Sequence, residues 1–332
     1  MPERDDVIGS FLARHGWDPG SRRRLAGDAS FRRYDRLAAD HRRAVLMDAP
    51  PPQEDVRPFV HIARHLAGLG YSAPRLLAVD AEAGLLLLED LGDDTFTRLL
   101  ATGVAEASLY GLAIDLLIDL HGRGAAAIPA GLAPYDDPRL LTEALLLSDW
   151  YIPEMIGGRL PEAEREAYAG LWRELFPLAR AVPDSLVLRD FHVDNLMRLE
   201  GRPGIAACGV LDFQDAVAGP LTYDLMSLLE DARRDIDPSL VAAMRARYLA
   251  AFPRLDAAAF DLSWRVLAAQ RHAKVIGIFT RLARRDGKPI YLQHIPRVWR
   301  LLEAALDHPQ LAGLAAWLDR VLPHGRRGVP QP

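Results

Sequence analysis

The hydrophobic pattern of this 332-residue chain changes near Gly92. Before that residue, short apolar runs are separated by turn residues, as in β-strands, and after it apolar residues recur every three or four positions, as in helices. A chain of this length exceeds what one hydrophobic core usually serves. We therefore predict two lobes, a β-rich lobe over residues 1–92 and a mostly helical lobe over residues 93–332.

The first lobe shows strand signals that are interrupted by one long helix. A short amphipathic helix is predicted over residues 3–15. Strands are predicted over residues 22–26, 31–37, 43–47, 76–79 and 85–88, and the longer helix over residues 53–69. The tight turns between the strands favour antiparallel pairing. The predicted fold class is therefore α+β, with a five-stranded antiparallel sheet and a helix preceding the helical lobe.

Most of the second lobe follows a helical period, but three short apolar segments do not. Helices are predicted over residues 95–101, 106–123, 138–151, 161–181 and from residue 221 onward. Strand-like segments lie at residues 186–188, 196–199 and 205–211. A glycine-containing turn separates the last two, so we predict that they pair as a hairpin.

The charge and composition of the chain exclude several classes of protein. With 40 basic and 45 acidic residues and a net charge of -5, the chain lacks the basic excess of a nucleic-acid-binding protein. The sequence shows no signal peptide or transmembrane stretch, and its single cysteine, Cys208, excludes an internal disulfide framework. We expect a cytoplasmic protein that acts on a small molecule, with no nucleic-acid, membrane or obligatory protein partner.

Acidic and amide side chains stand at the ends of the short strand-like segments. Asp190 follows the first segment, Asn195 precedes the second, and Asp212 directly follows the predicted hairpin. Carboxylate and amide oxygens suit Mg²⁺, which accompanies ATP. We predict that Asn195 and Asp212 bind Mg²⁺ with ATP, and that Asp190 accepts the proton of an attacking hydroxyl. The alternative is that these residues only cap turns, as Asp and Asn often do.

The spacing of these residues matches a kinase. Asp-x-x-x-x-Asn is the arrangement of the catalytic loop in protein kinases, and the segment 212–214, Asp-Phe-Gln, stands where they carry Asp-Phe-Gly. The segment 189–195 also resembles the H-G-D-x-H-x-x-N loop of the aminoglycoside and choline kinase superfamily, and the segment 211–225 is similar to its second signature.

This resemblance covers essentially the whole chain. It implies a bilobal, protein-kinase-like fold with ATP and Mg²⁺ as cofactors. It also implies that His192, which matches the second histidine of the loop, supports the loop rather than performing chemistry. Asp224, at the start of a predicted helix, is expected to cap that helix and to fix the loop.

Three segments narrow the resemblance within the superfamily. Residues 27–34, 46–51 and 270–279 are similar to the anomeric N-acetylmuramate/N-acetylglucosamine kinases of cell-wall recycling. The resemblance implies ATP-dependent phosphorylation of the anomeric hydroxyl of the sugar to the 1-phosphate. The residues by themselves indicate only a kinase for some small hydroxyl compound, so choline, homoserine and aminoglycosides are alternative acceptors. A nucleotide-binding pseudokinase is the alternative outside the enzymes.

The sequence departs from the superfamily pattern at positions that bind phosphate. Leu188 replaces the first histidine of the loop, and no lysine precedes Lys274, so the third-strand lysine that holds the α- and β-phosphates is missing. Ser30, Arg32 and Arg33 lie on the hairpin that covers the phosphates in kinases, and we predict that they bind the nucleotide there, because guanidinium groups match phosphate well. The alternative is that both arginines are ordinary exposed strand residues.

The segment from Glu89 to Gly92 is the predicted hinge. Hinge backbone groups bind adenine in the related kinases, so Glu89 and Leu91 are predicted nucleotide contacts through their main chain. Glu54, early in the predicted front-lobe helix, can pair with a phosphate-binding arginine. We favour the reading of an exposed first-turn glutamate, which the helix dipole stabilises.

The last helices carry a basic excess that bears on the substrate. Arginine and lysine outnumber the acids from Arg254 onward, whereas a site for polycationic aminoglycosides should be rich in carboxylates. We predict that Arg271 and Lys274 contact an anionic or neutral sugar, with the lactyl carboxylate of N-acetylmuramate as one partner. The alternative is a solvated helical face.

Overall fold

The computed structural model describes residues 3–27, 31–39 and 41–331. Its strands are β1 Arg23–Gly27, β2 Arg33–Ala39, β3 Arg42–Asp48, β4 Leu76–Asp80, β5 Leu85–Glu89, β6 Asp184–Val187, β7 Leu196–Arg198, β8 Cys208–Val210 and β9 Val217–Pro220. Its α-helices are α1 Arg4–Arg14, α2 Arg57–Gly68, α3 Phe96–Ala101, α4 Glu106–Gly122, α5 Asp137–Leu146, α6 Ile152–Ile156, α7 Glu162–Ala179, α8 Thr222–Leu229, α9 Pro238–Ala251, α10 Ala257–Asp286, α11 Ile295–Leu306 and α12 Ala312–Val321.

The chain packs into two compact units. Unit 1 comprises Met1–Leu116 and Val193–Ala216, and unit 2 comprises Leu117–His192 and Val217–Pro332. The lobe boundary near Gly92 stays a prediction. Within the described ranges, no helix combines the length and the apolar character that crossing a membrane requires.

Strands β1 to β5 form one antiparallel sheet in the order β1-β2-β3-β5-β4. This sheet, with α2 between β3 and β4, confirms the predicted five-stranded antiparallel sheet with a helix, and the mostly helical remainder confirms the α+β class. The predicted start of the long helix was wrong, because α2 begins at Arg57 and leaves Glu54 in the preceding loop.

The two faces of the sheet have different surroundings, because successive side chains of a strand point to opposite sides. On one face, Leu37 of β2 and Leu46 of β3 pack with Phe11 of α1 in a buried hydrophobic cluster. The alternate positions Tyr34 and Val45 lie on the other face, where they line a cavity. The alternation of the strands therefore separates the hydrophobic core on one face of the sheet from the cavity on the other.

The predicted hairpin is present as β7 and β8, in which Leu196 pairs with Val210 and Arg198 with Cys208. A second antiparallel pair, β6 with β9, joins Val187 to Val217 in unit 2. No strand was predicted at β9, because its four residues end in Gly-Pro and both residue types are depleted in strands.

Helix α10 is the central element of unit 2 and is buried along much of its length. A Cβ atom at Gly277 would lie 2.3 Å from the carbonyl carbon of Leu146, so only glycine allows α10 to approach the end of α5 so closely. The chain continues from α5 into a π-helical turn, Leu147–Tyr151, at this approach. The predicted helix over residues 138–151 is therefore an α-helix followed by a π turn. This packing fixes α5 against α10, and both helices carry side chains described below.

Candidate active site

Asn195 and Asp212 lie side by side at one end of the β7–β8 hairpin in unit 1. Asn195 ends the 3₁₀ turn before β7, and Asp212 follows β8 after Leu211, whose backbone N donates to Asn195 O at 2.9 Å. The Nδ2 atom of Asn195 lies 3.5 Å from Oδ2 of Asp212. The hairpin thus brings together the residues that the sequence predicts as metal ligands.

The backbone of Asp212 adopts an unusual conformation. Its φ angle is 57°, in the left-handed region that few residues other than glycine adopt. The side chain of the following Gln214 donates from Nε2 to Asp212 Oδ1 at 2.8 Å. Such conformations cost free energy and cluster at functional sites, where the surroundings enforce them. Gln214, in place of the usual glycine, therefore helps to aim the Asp212 carboxylate.

The donor set at Asn195 and Asp212 fits Mg²⁺. Both residues offer side-chain oxygens and both are partly exposed. Among the described residues, no cluster of three or more His, Cys, Asp or Glu side chains forms a metal cage. Mg²⁺ usually keeps one or two protein carboxylates and takes its other ligands from water and substrate phosphates, so an incomplete protein shell is what this ion requires.

Arg32 connects this end of the hairpin to Glu54. Its Nε donates to Glu54 Oε2 at 2.9 Å, and its Nη1 lies 3.8 Å from Asp212 Oδ1. Burial acts to lower the pKa of Arg32, but the hydrogen bond to Glu54 and the charges of Glu54 and Asp212 outweigh it and raise that pKa. The favoured reading of Glu54 as an exposed helical residue was wrong: its side chain is 11% exposed and holds Arg32.

A cavity of about 600 Å³ lies within unit 1 beside these residues. Asn195 and Asp212 line it together with the hinge residues Glu89 and Leu91. Apolar side chains form much of the remaining wall, namely Leu25, Val45, Phe59, Leu88, Met197 and Leu211. Its size and its mixed lining, apolar with a few polar groups, are those of small-molecule sites.

The hinge is braced by arginines that the sequence did not single out. Arg202 Nη2 donates to Glu89 Oε1 at 2.7 Å, which engages the Glu89 side chain. Arg36 of β2 donates through Nη2 to Asp90 Oδ1 at 3.1 Å and through Nη1 to Asp93 Oδ2 at 3.0 Å. The only signal for Arg36 was its position two residues after Tyr34, on the same face of β2.

Arg33 and Ser30, the other residues predicted to bind the phosphates, are not shown at the cavity. Arg33 is exposed, and strand alternation places it on the face opposite Tyr34, so the structure does not bring it to the cavity. Ser30 lies outside the described residues. Of the two predicted arginines, only Arg32 lies close to Asp212.

Asp190 belongs to unit 2, where its loop is held by Asp224. The backbone N of Asp190 donates to Leu188 O at 2.9 Å, and the φ angle of the intervening Arg189 is 69°. The Asp224 carboxylate accepts from Leu188 N at 2.6 Å and from Arg189 N at 2.9 Å. Asp224 lies inside α8, whose cap residue is Leu221, so the expected helix cap was wrong, whereas these contacts fix the loop.

The surroundings of Asp224 and His192 shift the pKa values of both side chains. Burial raises the pKa of Asp224 to about 7, against the backbone hydrogen bonds from Leu188 and Arg189. Burial, assisted by the charge of Arg233, lowers the pKa of His192, so its imidazole is neutral near pH 7. A buried neutral imidazole fits the supporting role predicted for His192.

We expect Asp224→Ala to destabilise the protein and to disorder the loop that carries Asp190. Removing the carboxylate leaves the amides of Leu188 and Arg189 without their acceptor, and each unsatisfied buried donor costs about 1–3 kcal/mol. Urea unfolding at pH 7 should show this loss in the free energy of unfolding. Asp307→Ala, at an exposed position, is the matched control. Equal stability of the two variants would contradict the role given to Asp224.

The predicted substrate contacts Arg271 and Lys274 have different surroundings in α10. Lys274 Nζ donates to Glu143 Oε1 at 3.0 Å, so this ammonium is engaged in an ion pair within unit 2. Arg271 is 5% exposed, and its Nη1 has no hydrogen-bond partner among the described residues. Arg271 Nη1 is thus a buried donor without a hydrogen-bond partner among the described residues, whereas Lys274 already has an acceptor.

Comparison with known proteins finds relatives over nearly the whole length of the chain. An N-acetylmuramate/N-acetylglucosamine kinase of Caulobacter vibrioides is 38% identical, with 97% of each chain covered. The protein of the same name from Pseudomonas aeruginosa is 40% identical, covering 97% of this chain and 95% of its own. Choline kinase LicA from Streptococcus pneumoniae has a similar fold, with a TM-score of 0.60, 11% identity, and 92% of this chain and 100% of that chain covered.

A mutant aminoglycoside phosphotransferase in complex with GDP shares the fold as well, with a TM-score of 0.63, 15% identity, and 92% of this chain and 98% of that chain covered. The sequence profile of the phosphotransferase enzyme family matches residues 21–258. These findings confirm the kinase-like fold and the superfamily that the loop motifs indicated. The chain belongs to the APH phosphotransferase enzyme family.

Proposed function

We propose that this protein is an ATP-dependent sugar kinase that phosphorylates the anomeric hydroxyl of N-acetylmuramate and N-acetylglucosamine, giving the 1-phosphates for peptidoglycan recycling. The choice of sugar rests on the relatives of that name, which match at 38% and 40% identity over nearly the whole chain. The choice of reaction rests on Asn195, Asp212 and Arg32, which converge beside the cavity of unit 1. Because ATP is the proposed phosphoryl donor, we place the reaction in the cytoplasm.

Phosphoryl transfer requires positioning and charge neutralisation more than covalent chemistry by the protein. Mg²⁺ bound by Asn195 and Asp212 supplies neutralisation of the phosphate oxygens. Asp190 orients the acceptor hydroxyl and takes its proton. The hinge main chain at Glu89 and Leu91 binds the adenine in the apolar part of the cavity.

We assign the role of the missing lysine to Arg32. A guanidinium presents a planar set of donors that matches phosphate, and Glu54 holds it in place at 2.9 Å. In kinases the phosphate-binding lysine is likewise held by a glutamate. Without another cation at the phosphates, the missing lysine would favour a pseudokinase, so the assignment of Arg32 supports an active kinase.

Arg271 is the proposed contact for an anionic group of the acceptor. Its side chain is buried, and Nη1 has no hydrogen-bond partner among the described residues. A carboxylate that reaches this donor, such as the lactyl group of N-acetylmuramate, would satisfy it. A charged hydrogen bond of this kind is stronger than a neutral one.

We expect Arg32→Ala to lower kcat about 10²-fold, the size of effect seen when one donor that stabilises transition-state charge is removed. Glu54→Gln should show part of that loss, and the double variant should lose less than the sum, because both act on one contact. Steady-state kinetics of the wild type, the two single variants and the double variant measures the coupling energy between Arg32 and Glu54. Arg33→Ala, one residue further along the chain, is the matched comparison. A larger loss in Arg33→Ala than in Arg32→Ala would contradict the assignment.

The proposed reaction is tested by ADP release with Mg·ATP and N-acetylmuramate, N-acetylglucosamine, choline or kanamycin. Turnover with the N-acetyl amino sugars alone, and a product with phosphorus coupled to the anomeric proton in NMR, is the expected result. Turnover with choline or kanamycin alone would contradict the proposed sugar substrates but would leave the proposed catalytic residues in place. Nucleotide binding with no turnover of any acceptor would contradict the proposed sugars and favour the pseudokinase.

A further inference from the structure

The loop that carries Asp190 contains a turn of rare geometry. Asp190 N donates to Leu188 O, a hydrogen bond that spans only two residues, and the central residue Arg189 has a φ angle of 69°. This combination is a γ-turn with positive φ, which is uncommon and strained. The superfamily pattern has glycine at this position, whereas this chain has a bulky arginine. The turn therefore needs restraints from the rest of unit 2.

The backbone and the side chain of Arg189 are restrained separately. Asp224 accepts hydrogen bonds from the consecutive backbone amides of Leu188 and Arg189, as described above. The guanidinium of Arg189 is bound through Nη2 by Oε1 of Glu143. Asp224 thus restrains the main chain, and Glu143 restrains the side chain of Arg189, which directly precedes Asp190.

The Glu143 carboxylate is fixed from several sides. Its Oε1 also accepts from Lys274 Nζ at 3.0 Å, and its Oε2 accepts from Tyr135 OH at 2.5 Å and Gln270 Nε2 at 3.1 Å. Burial acts to raise the pKa of Glu143, but the charges of Lys274 and Arg189 outweigh it and lower the pKa to about 2. The carboxylate is therefore ionised at neutral pH and held in one orientation.

The groups around Glu143 are themselves anchored to rigid elements. Gln270 Nε2 also donates to Leu140 O of α5 at 3.0 Å. Tyr135 N donates to Ala218 O of β9 at 2.7 Å, and a Cβ atom at Gly219 would lie 2.8 Å from Cβ of Tyr135. The Tyr135 ring also lies 5.7 Å from the guanidinium carbon of Arg189, within the range of a cation–π contact. The Arg189 side chain is therefore bound by a preorganised site.

We infer that Glu143 is a positioning residue for the reaction: by binding Arg189, its carboxylate keeps the turn at Leu188–Asp190 and thereby aims the carboxylate of Asp190 at the acceptor hydroxyl. This inference rests on the proposed role of Asp190 as the base. It also gives Lys274 a part in the loop support, through Glu143, in place of the substrate contact predicted from the sequence. Small displacements of a catalytic group cost rate rather than ligand affinity.

The test is Glu143→Gln, which keeps the size of the side chain and removes its charge. We expect kcat to fall between ten- and a hundredfold while the Kd for nucleotide stays within twofold of the wild type. Arg189→Met should show a loss of similar size, and the double variant should be no slower than the slower single variant. Glu166→Gln, which removes an exposed pairing with Arg173, is the matched control.

Hydrogen exchange provides a readout that does not depend on turnover. The amides of Leu188, Arg189 and Asp190 should exchange faster in Glu143→Gln than in the wild type, whereas the control should leave them unchanged. Unchanged exchange would overturn the inference even for an enzyme whose acceptor has not been found. A wild type without turnover on the N-acetyl amino sugars would instead contradict the proposed function, so the two failures are distinguishable.

A general loss of stability is separated from positioning by measuring rates well below the unfolding temperature. Normal kcat per folded molecule in Glu143→Gln, or additive losses in the double variant, would overturn the inference. If Glu143→Gln does not fold, Tyr135→Phe removes one hydrogen bond to Oε2 and keeps the ring. We expect it to lower kcat severalfold and to speed exchange at Arg189, and wild-type values for both would count against the inference.

Discussion

Asp190→Asn is expected to lower kcat about 10³-fold while leaving nucleotide affinity within twofold of the wild type. General-base catalysis contributes between 10² and 10⁴ in rate, and an amide cannot take the proton of the acceptor hydroxyl. Nucleotide affinity should persist because the residues that line the cavity of unit 1 do not include Asp190. Steady-state ADP release gives kcat, and isothermal titration with an unreactive ATP analogue gives Kd.

Substitution by asparagine changes the chemistry of the side chain with little change in its shape. Asn has nearly the shape of Asp, and the backbone hydrogen bond from Asp190 N to Leu188 O does not involve the side chain. The matched control is Asp307→Asn, an exposed position at the end of α11. A near-normal kcat for Asp190→Asn, with the control also normal, would remove Asp190 from the mechanism. A joint loss of kcat and of thermal stability would show a structural role instead.

The sequence predicts the metal-binding part of the site well, because that part is local. Asn195 precedes the first strand of the hairpin and Asp212 follows the second, so both lie at its open end. A hairpin needs only a turn and two short apolar runs. The pairing of Leu196 with Val210 then brings the side chains together with no further information. The sheet of unit 1 is predictable for the same reason, since each of its strands is flanked by turn residues.

Contacts between residues that are distant in sequence are where the prediction failed. Glu54 meets Arg32 across 22 positions and Glu143 meets Arg189 across 46, and neither pair has a signature in one sequence. A charged residue at a helix start is usually solvated, which is why Glu54 was misread. Only the structure shows that the side chain of Glu54 is 11% exposed and that its carboxylate forms an ion pair with Arg32.

The roles of Asp224 and Lys274 were mispredicted from local sequence rules for the same physical reason. Asp224 has the residue type of a helix cap, but tertiary packing places it inside α8 and turns its carboxylate to the amides of Leu188 and Arg189. Lys274 lies on a helix rich in basic residues, yet its ammonium binds Glu143. Asp224 is buried and the side chain of Lys274 is only 13% exposed, and leaving either polar group unpaired there would cost more than a local preference supplies.

Asp212→Asn is expected to lower kcat about 10³-fold and to remove the effect of Mg²⁺ on nucleotide binding. The variant keeps the backbone, because asparagine tolerates the φ angle of 57° better than most residues. It loses the carboxylate that a hard divalent ion prefers and the negative charge beside Arg32, 3.8 Å away. In the wild type, an ATP analogue should bind more tightly with Mg²⁺ than with EDTA.

In Asp212→Asn the two affinities should converge, since the ion no longer links the phosphates to the protein. Affinity without metal should hold or rise slightly, because Arg32 then has one fewer carboxylate competing with the phosphates for its guanidinium. Asp5→Asn, whose side chain is 78% exposed, is the matched control and should keep the metal effect. If Asp212→Asn retained a wild-type gap between the Mg²⁺ and EDTA affinities, the metal would be held elsewhere. Asp212 would then serve mainly to orient Arg32, and Arg32→Ala would be expected to reproduce its whole loss of rate.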